Sequence, residues 1–323
     1  MIAYFSRPFL FLWFPLKSES INIYFMYNSQ VIGHYFSLIK ITHTVFALPF
    51  ALLGFFIGLA ALNQGFDLVV MLLILLCMFF ARSAAMAFNR YADRDIDIKN
   101  PRTAVREIPS GKLSPQTVLI LVVLNCVGFI ATTWFINPLC FYLSPLALAI
   151  VLGYSFTKRF TQWCHFVLGL GLALAPVGAY IAVTGSFEWV PVLYGLGVLF
   201  WVAGFDIIYA LQDEDFDQKE KLYSIPSRWG KKGGLKMARF IHLLSGVVFS
   251  LATFWMVIGF SLNGVLSALG LLVFLLLLLI QHRLVSPGDL SRVNLAFFTT
   301  NGLASLIFAG FLIMDLTISS GMF

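Results

Sequence analysis

Residues 68–88 read LVVMLLILLCMFFARSAAMAF and form a nearly unbroken apolar run in which Arg82 is the single charged side chain. A helix needs about 20 apolar residues to cross the ~30 Å hydrocarbon layer of a membrane, so this run is long enough to span one. Eight further runs lie on either side of it: residues 41–62, 118–136, 139–156, 166–184, 190–211, 240–260, 265–280 and 295–313. The pattern predicts nine transmembrane helices.

The composition supports lipid rather than water as the main surroundings of the chain. Hydrophobic residues make up 60% of the 323 residues and charged residues only 11%, whereas a soluble domain carries roughly 25% charged residues. Inside a bilayer the backbone must satisfy its own hydrogen bonds, so only helices or closed barrels can span it. Because the apolar runs are continuous rather than alternating, they predict an all-α integral membrane bundle.

The predicted domain begins after an N-terminal extension. Residues 35–323 are predicted to form one nine-helix domain, and residues 1–34 to precede it. The extension has a short apolar part that is interrupted by Pro15 and preceded by Arg7 alone, which is a weak signal-peptide pattern. Translation from Met26 would leave residues 1–25 as a non-native start, and a short interfacial segment is the alternative interpretation.

The basic residues indicate the orientation of the bundle. All 21 Lys and Arg residues precede the first apolar run or lie in or beside the linkers that follow the second, fourth, sixth and eighth runs. Cytoplasmic loops of membrane proteins are enriched in these residues, so the N-terminus and these linkers are predicted inside and the C-terminus outside. The net charge of +6 is therefore explained by basic loops at the cytoplasmic surface of the bilayer. No nucleic-acid partner is expected.

Ten of the 15 acidic residues fall into two clusters, both at predicted cytoplasmic helix ends. The first cluster includes Asp93, Asp95 and Asp97. The second repeats this spacing 120 residues later as Asp213, Asp215 and Asp217. If each helix continues through its cluster, side chains about one turn apart line one face. The resulting polar rows are Asn89, Asp93 and Asp97 in one cluster and Asp206, Tyr209, Asp213 and Asp217 in the other.

Two rows of carboxylates need a cation, because like charges one turn apart repel. Mg²⁺ prefers oxygen ligands and commonly joins one or two carboxylates to substrate phosphates. The two rows are therefore expected to hold a diphosphate between them through metal ions. Asp206 lies within an apolar run, where a central carboxylate costs roughly 2.5 to 3.5 kcal/mol on insertion scales and usually marks function. The alternative is that acidic and basic side chains neutralise each other across solvated loops.

Four basic side chains near the clusters are candidate phosphate ligands. Arg102 and Arg106 follow the first cluster, and Lys158 and Arg159 come from another cytoplasmic linker. Arginine can donate two parallel hydrogen bonds to a phosphate, and lysine binds it as a compact charge. The alternative explanation of these residues is the ordinary excess of positive charge in cytoplasmic loops.

Two motifs carry a resemblance to a known family. The first signature of the UbiA-type intramembrane polyprenyltransferases is similar to Asn89-Arg90-x-x-Asp93-x-x-x-Asp97, followed by Arg102-Thr103-x-x-Arg106-x-x-Pro109-x-Gly111. The second resembles Asp206-x-x-Tyr209-Ala210-x-x-Asp213-x-x-x-Asp217-x-Lys219, then Ser224-x-Pro226. The family's segment after its fourth helix is similar to Tyr154-Ser155-x-Thr157-Lys158-Arg159. The resemblance extends from about Tyr35 to the end of the chain.

The resemblance implies a nine-helix bundle whose central cavity opens to the cytoplasmic side, and Mg²⁺-dependent transfer of a polyprenyl group from its diphosphate to a small aromatic acceptor. The implied metal ligands are Asn89, Asp93, Asp97, Asp213 and Asp217, and the four aspartates among them are the implied catalytic residues. The implied substrate contacts are Asn89, Arg102, Arg106, Lys158, Arg159, Asp206, Tyr209 and Lys219. Water must be kept from the allylic cation that forms when the diphosphate leaves.

The sequence is compatible with more than one acceptor for the prenyl group. The resemblance implies an aromatic acid such as 4-hydroxybenzoate in quinone biosynthesis. The segment Lys40-Ile41-Thr42-His43-Thr44 more closely resembles a subgroup associated with menaquinone made through futalosine, which implies another aromatic carboxylate. Lys40 or His43 is expected to position the anionic group. A haem- or chlorophyll-modifying prenyltransferase is the nearest alternative, and a secondary transporter is the alternative from another class, because intramembrane acids also mark ion pathways.

Overall fold

The computed structural model describes residues 46–320, together with the single positions Gly33 and Leu38. Within this part the chain is helical, and no strand is assigned beyond one isolated bridge between Ser286 and Asp289. The α-helices are α1 (Leu48–Leu62), α2 (Leu68–Ala92), α3 (Arg94–Asp97), α4 (Pro115–Ile136), α5 (Pro138–Thr157), α6 (Cys164–Thr184), α7 (Trp189–Ala210), α8 (Glu214–Lys219), α9 (Ile225–Gly259), α10 (Val265–Leu284) and α11 (Asn301–Ser320). The predicted all-α class is confirmed.

Eight helical segments of the described chain are long and apolar enough to cross a membrane, as expected of a multi-pass integral membrane protein. They are Leu68–Ala92, Pro115–Ile136, Pro138–Thr157, Cys164–Thr184, Trp189–Lys219, Ile225–Gly259, Val265–Leu284 and Leu295–Ser319. Helix α1 is apolar but has 15 residues, fewer than the roughly 20 that a full crossing needs. Residues 41–45 of the run predicted there lie outside the described residues, as do residues 1–32, so the count of nine stays a prediction.

Four of the long helices begin at capping side chains. Asp67, Ser114 and Asn137 each accept a hydrogen bond from a backbone N–H in the first turn of α2, α4 and α5, respectively. Ser224 and Ser227 form a reciprocal capping box at the start of α9. Such caps satisfy donors that would otherwise have no partner at a helix start. These polar residues therefore fix the points at which the chain turns back toward the membrane.

The two acidic clusters follow breaks in the helices. Helix α2 ends at Ala92, and the backbone of Asp93 adopts φ −92° and ψ 3° before the short α3 begins. Helix α7 ends at Ala210 and continues as a 3₁₀ turn, Leu211–Asp213, before α8. The first row nevertheless keeps its one-turn spacing, because the backbone N–H groups of Asp93 and Asp97 donate to the carbonyl oxygens of Asn89 and Asp93 over 2.9 and 2.7 Å, respectively. The second helix changes to a 3₁₀ turn, so it does not continue as a regular α-helix through its cluster.

Helix α9 is longer than its predicted apolar run at 240–260. It has 35 residues and contains a non-helical residue, Gly230, with φ 69° and ψ 170°. A positive φ of this kind is accessible mainly to glycine. The part before Phe240 is rich in Lys and Arg and is not apolar, so the apolar pattern did not include it.

Helix α7 lies in the centre of the bundle, between α6 and α9, and 12 of its 22 residues are buried. Trp201 of α7 packs with Phe50 of α1 and Phe274 of α10 at centroid distances of 5.5 and 5.9 Å. Glycines allow the helices to approach closely, as small residues do in membrane bundles. A Cβ on Gly54 would lie only 2.1 Å from the carbonyl oxygen of Pro176 in α6. The helix ends that carry the acidic clusters are held by this packed centre.

Candidate active site

Direct contacts join the two acidic clusters. Asn100, in the linker after α3, donates from Nδ2 to Oδ1 of Asp213 over 3.1 Å. Arg102 donates from Nε to the same oxygen over 2.9 Å and from a second guanidinium nitrogen to Oδ2 of Asp213. At the edge of the site, Lys99 Nζ lies 2.6 Å from Oε2 of Glu220. Segments more than 100 residues apart in sequence therefore form one polar region.

Asp93 is a deeply buried carboxylate of the region, with 2% of the residue exposed. Its Oδ2 accepts a hydrogen bond from Asn89 Nδ2 over 3.0 Å and lies 2.7 Å from Lys158 Nζ. Its Oδ1 is buried and has no hydrogen-bond partner within the described residues, and a guanidinium nitrogen of Arg159 lies 3.9 Å from it. Burial raises the pKa of Asp93, while the charge of Lys158 acts in the opposite direction.

Asp97 and Asp95 lie two residues apart but in different surroundings. Asp97 is buried, and Arg106 NH1 lies 2.7 and 2.8 Å from its two carboxylate oxygens. The Asp95 side chain is 61% exposed and pairs with Arg159. Hydrogen bonds from Arg159 lower the pKa of Asp95 to about 2. Asp97, one turn after Asp93, thus faces the polar region, and Asp95 lies at its surface.

The second cluster shows the same division between inner and outer acids. Asp217 Oδ2 accepts a hydrogen bond over 3.1 Å from the Ser224 hydroxyl, whereas the Asp215 side chain is 93% exposed. Lys158 acts electrostatically on Asp217 as well as binding Asp93. Lys219 is exposed at the last residue of α8, and no ion pair within 4.0 Å joins it to a described carboxylate. The structure therefore does not bring Lys219 into the site.

Tyr209 lies beside the contact between the clusters. Arg102 NH1 is 3.4 Å from its hydroxyl, and the guanidinium carbon is 5.6 Å from the ring centroid. On its other side the ring packs on Phe297 with centroids 4.2 Å apart. Tyr209 therefore separates the polar region from apolar side chains.

A cavity of about 270 Å³ adjoins the polar region. Its polar lining includes Asn89, Asp93, Lys158 and Asp206, and its apolar lining includes Phe46, Leu168, Leu172, Val202, Phe205 and Phe297. One wall can therefore bind charged groups while the others exclude water. Lys40 and His43, the remaining predicted substrate contacts, lie outside the described residues.

His165 is a site residue that no sequence motif predicts. Its Nδ1 is 2.7 Å from Oδ2 of Asp206, and its Nε2 is 3.3 Å from the backbone nitrogen of Ile225. Because the Ile225 N–H is a donor, Nε2 must accept, which assigns the imidazole proton to Nδ1 and makes Asp206 the acceptor. His165 therefore holds a cavity-lining carboxylate of α7 against the start of α9.

Arg82 and Tyr154 also line the cavity. In the sequence analysis, Arg82 counts only among the basic residues that indicate orientation. A charged side chain inside an apolar run usually marks function, so its position was a signal of a site residue. Its Nε is buried and has no hydrogen-bond partner within the described residues. The cavity lining thus contains the cations Arg82 and Lys158 as well as the carboxylates of Asp93 and Asp206.

The donor atoms are of the kind that Mg²⁺ binds. Among the described residues no three Asp, Glu, His or Cys side chains form a ready-made metal cluster. Mg²⁺ does not require one, since it usually takes one or two carboxylates and completes its shell with water and substrate phosphate. Each acidic cluster offers such a set, and Oδ1 of Asp93 is a buried acceptor without a hydrogen-bond donor. The residues present therefore fit a magnesium site completed by a phosphate substrate.

The chain is similar to one protein family and to named members of it. The model of the UbiA prenyltransferase family matches residues 47–303. The 4-hydroxybenzoate octaprenyltransferase of Aeromonas hydrophila is 32% identical over 258 residues, which cover 76% of this chain and 84% of the relative. The protein of the same name from Alkalilimnicola ehrlichii is 31% identical, with coverage of 77% and 83%.

Solved structures share the fold. The apo structure of a UbiA homologue from Aeropyrum pernix K1 superposes with a TM-score of 0.74 at 31% identity, covering 84% of this chain and 98% of that one. A UbiA homologue from Archaeoglobus fulgidus bound to DMAPP and Mg²⁺ superposes with a TM-score of 0.66 at 19% identity, covering 88% and 99%. At this lower identity the second match establishes the fold alone.

Proposed function

The chain belongs to the UbiA prenyltransferase family, and from this premise we propose that it transfers a polyprenyl group from a polyprenyl diphosphate to an aromatic acid of the 4-hydroxybenzoate type in quinone biosynthesis. Family membership makes it a transferase of alkyl groups other than methyl, which leaves the transporter alternative without support. The observation that carries the proposal is the joining of the two acidic clusters, through Arg102 and Asp213, beside an apolar cavity.

We assign Mg²⁺ to the facing oxygen donors of the two clusters. The proposed ligands are Asn89, Asp93 and Asp97 from one cluster and Asp213 and Asp217 from the other, and the four aspartates are the proposed catalytic residues. When bound, the metal would neutralise the charge that develops on the diphosphate as its bond to the prenyl carbon breaks. The Archaeoglobus fulgidus homologue, which binds DMAPP and Mg²⁺ together, supports this assignment.

Basic side chains surround the proposed diphosphate position. Lys158, Arg102 and Arg106 already bind the carboxylates that we assign to metal, so each is within reach of a phosphate held by the same groups. Charge-assisted hydrogen bonds to phosphate oxygens orient the donor and stabilise the leaving group. Arg159 lies at the edge of this arrangement, and Lys219 is assigned only a long-range electrostatic role because it is exposed.

The cavity provides the site for the reacting ends of both substrates. Phe205 and Phe297 supply apolar wall beside Asp93, which protects an allylic cation from capture by water. Asp206 has one oxygen fixed by His165 and is assigned to bind a polar group of the acceptor. Tyr209 is assigned to the boundary between the diphosphate and the prenyl chain, with its ring facing the apolar side chains. Lys40 and His43 remain proposed contacts of the acceptor carboxylate.

We assign the membrane arrangement from the distribution of charge. The basic residues near the acidic clusters support a proposed orientation in which the active site, its opening and the N-terminus face the cytoplasm and the C-terminus lies outside. The apolar run at residues 41–62 is proposed as the ninth crossing of a domain that spans residues 35–323. The relatives named as 4-hydroxybenzoate octaprenyltransferases support this acid as the first acceptor to test. The sequence around His43 favours another aromatic carboxylate as the second.

The test is an assay of the purified protein in lipid. Radiolabelled polyprenyl diphosphate is incubated with a panel of aromatic acids, with and without EDTA, and the lipid-soluble product is identified by mass spectrometry. We expect a covalent prenyl–aromatic product that disappears with EDTA and returns with added Mg²⁺. Product formation that is unaffected by EDTA would refute the metal assignment. Reaction only with haem- or chlorophyll-type acceptors would refute the acceptor class.

A further inference from the structure

A second cavity, of about 970 Å³, lies between α9 and α10 on the outer surface of the bundle. Its lining is mostly apolar, and Leu243, Phe254 and Leu279 in it are each more than half exposed. None of its lining residues lines the cavity of the active site. In a membrane this groove faces lipid and is separate from the proposed reaction.

The groove has a basic end. Arg239 of α9 and Arg283 of α10 both line it and are exposed. No described carboxylate lies within 4.0 Å of either guanidinium, in contrast to Arg102, Arg106 and Arg159 of the active site. The groove therefore contains two cations without acidic partners at one end of an apolar channel.

A pair of histidines between the helices fixes this end. His242 Nε2 is 3.1 Å from the carbonyl oxygen of Trp201, and its Nδ1 is 2.9 Å from Nε2 of His282. Because the Trp201 carbonyl can only accept, His242 donates through Nε2 and accepts through Nδ1, which assigns the His282 proton to Nε2. The His242 imidazole is then neutral, and Arg239 and Arg283 are the permanently charged groups at this end of the groove.

The length of the groove matches one leaflet of a bilayer. On α9 the lining runs from Arg239 to Phe254 and on α10 from Leu275 to Arg283, which correspond to about 22 and 12 Å of helix. Half of the hydrocarbon layer is about 15 Å thick. A lipid whose phosphate contacts the two arginines would therefore extend its acyl chains along the apolar part.

We propose that this groove binds an anionic phospholipid, with its phosphate between Arg239 and Arg283 and an acyl chain between α9 and α10. The lining residues include no acidic side chain that could accompany the ammonium group of a zwitterionic lipid. A headgroup with net negative charge complements the two arginines, since basic residues near the membrane surface attract anionic lipids. The ligand is thus a structural lipid distinct from both substrates.

Native mass spectrometry of the full-length protein in detergent tests this site. Phosphatidylglycerol and phosphatidylcholine with identical acyl chains are titrated, and bound lipid is counted. We expect phosphatidylglycerol to bind more tightly and to be weakened roughly tenfold or more in the double variant Arg239→Gln and Arg283→Gln. The matched control, Lys236→Gln with Arg292→Gln, removes two exposed cations that lie outside the groove and should retain the affinity of the unchanged protein.

A steric variant tests the apolar part independently of charge. Leu279→Trp places a large side chain in the groove at an exposed position and should reduce phosphatidylglycerol binding, whereas Leu272→Trp, exposed on the same helix outside the groove, should not. Equal affinity for the two lipids, or unchanged binding in both the arginine and Leu279 variants, would overturn the proposal. Preferential occupation of the groove by polyprenyl diphosphate would also overturn it.

Discussion

Lys158 and Asp93 form the ion pair at the centre of the site, with Nζ 2.7 Å from Oδ2. The lysine binds only one of the two carboxylate oxygens, and the other is buried with no hydrogen-bond partner within the described residues. A buried acceptor in that condition normally costs free energy. A metal ion at Oδ1 would satisfy it without displacing the contact at Oδ2.

Replacing Asp93 by Asn should therefore remove most of the activity. The variant keeps the shape of the side chain but loses a charged oxygen ligand, and we expect the rate to fall by about a hundredfold or more. The measurement is product formation at several Mg²⁺ concentrations. Asp95→Asn is the matched control, since this acid is two residues away and largely exposed, and it should keep nearly full activity. Equal losses in both variants would contradict the assignment.

The pH dependence of the reaction should reflect the burial of Asp93. Its raised pKa means that the carboxylate becomes protonated, and loses its capacity to bind metal, at a higher pH than the ordinary value of about 3.9. Activity should therefore fall as pH decreases through the raised pKa. Higher Mg²⁺ concentrations should move this fall to lower pH, because metal and proton compete for the same oxygens.

Lys158→Gln should move the acidic fall in activity to higher pH. The positive charge of Lys158 lowers the pKa of Asp93, so its removal raises that pKa further. The measurement is kcat/KM against pH for the variant and the unchanged protein. Lys232→Gln is a suitable control because this lysine is exposed and has no described ion pair within 4.0 Å. A fall at unchanged pH would show that Asp93 does not control this part of the profile.

Removing the imidazole of His165 should destabilise the protein as well as weaken catalysis. In His165→Phe, Asp206 loses its hydrogen-bond donor and the Ile225 N–H loses its acceptor. Leaving buried polar groups without partners costs about 1–3 kcal/mol each. We expect a lower Tm in detergent, with partial recovery of the Tm in the double variant His165→Phe and Asp206→Asn, in which no carboxylate remains. Lack of any change in Tm would contradict the proposed contact.

The close approach of α1 and α6 gives a prediction about stability alone. Gly54→Ala would place a Cβ 2.1 Å from the Pro176 carbonyl oxygen, so the helices must separate, at a cost of about 1–3 kcal/mol. Gly178→Ala, in α6, meets no atom within 4 Å and should be neutral or slightly stabilising, because alanine favours the helix. Thermal unfolding in detergent compares the two variants.

The sequence predicted the elements that depend on local pattern. Apolar runs located the long helices because each must cross the same thickness of hydrocarbon. The aspartate motifs located both clusters because their residues are close together in the chain. The structure keeps Asn89, Asp93 and Asp97 one turn apart. The sequence did not predict the ion pairs that these motifs form, such as Asp97 with Arg106 and Asp213 with Arg102.

Contacts between distant segments could not be predicted in this way. His165 is 41 residues from Asp206 and 60 from Ile225, and no pattern in the sequence pairs it with either. The lipid groove depends in the same way on the packing of α9 against α10, because neither helix alone places Arg239 near Arg283. Such features follow from tertiary structure, which a single sequence does not encode in its local spacing.

The contact between Asn100 and Asp213, which lie 113 residues apart, has a consequence for how the protein is made. During synthesis, the first cluster emerges from the ribosome well before α7 and α8 exist, so Asn100 and Arg102 have no Asp213 to bind. A chain halted before α7 would therefore contain one complete acidic motif and no assembled site. Catalytic competence must arise only after the later helices have been inserted into the membrane and packed against the earlier ones.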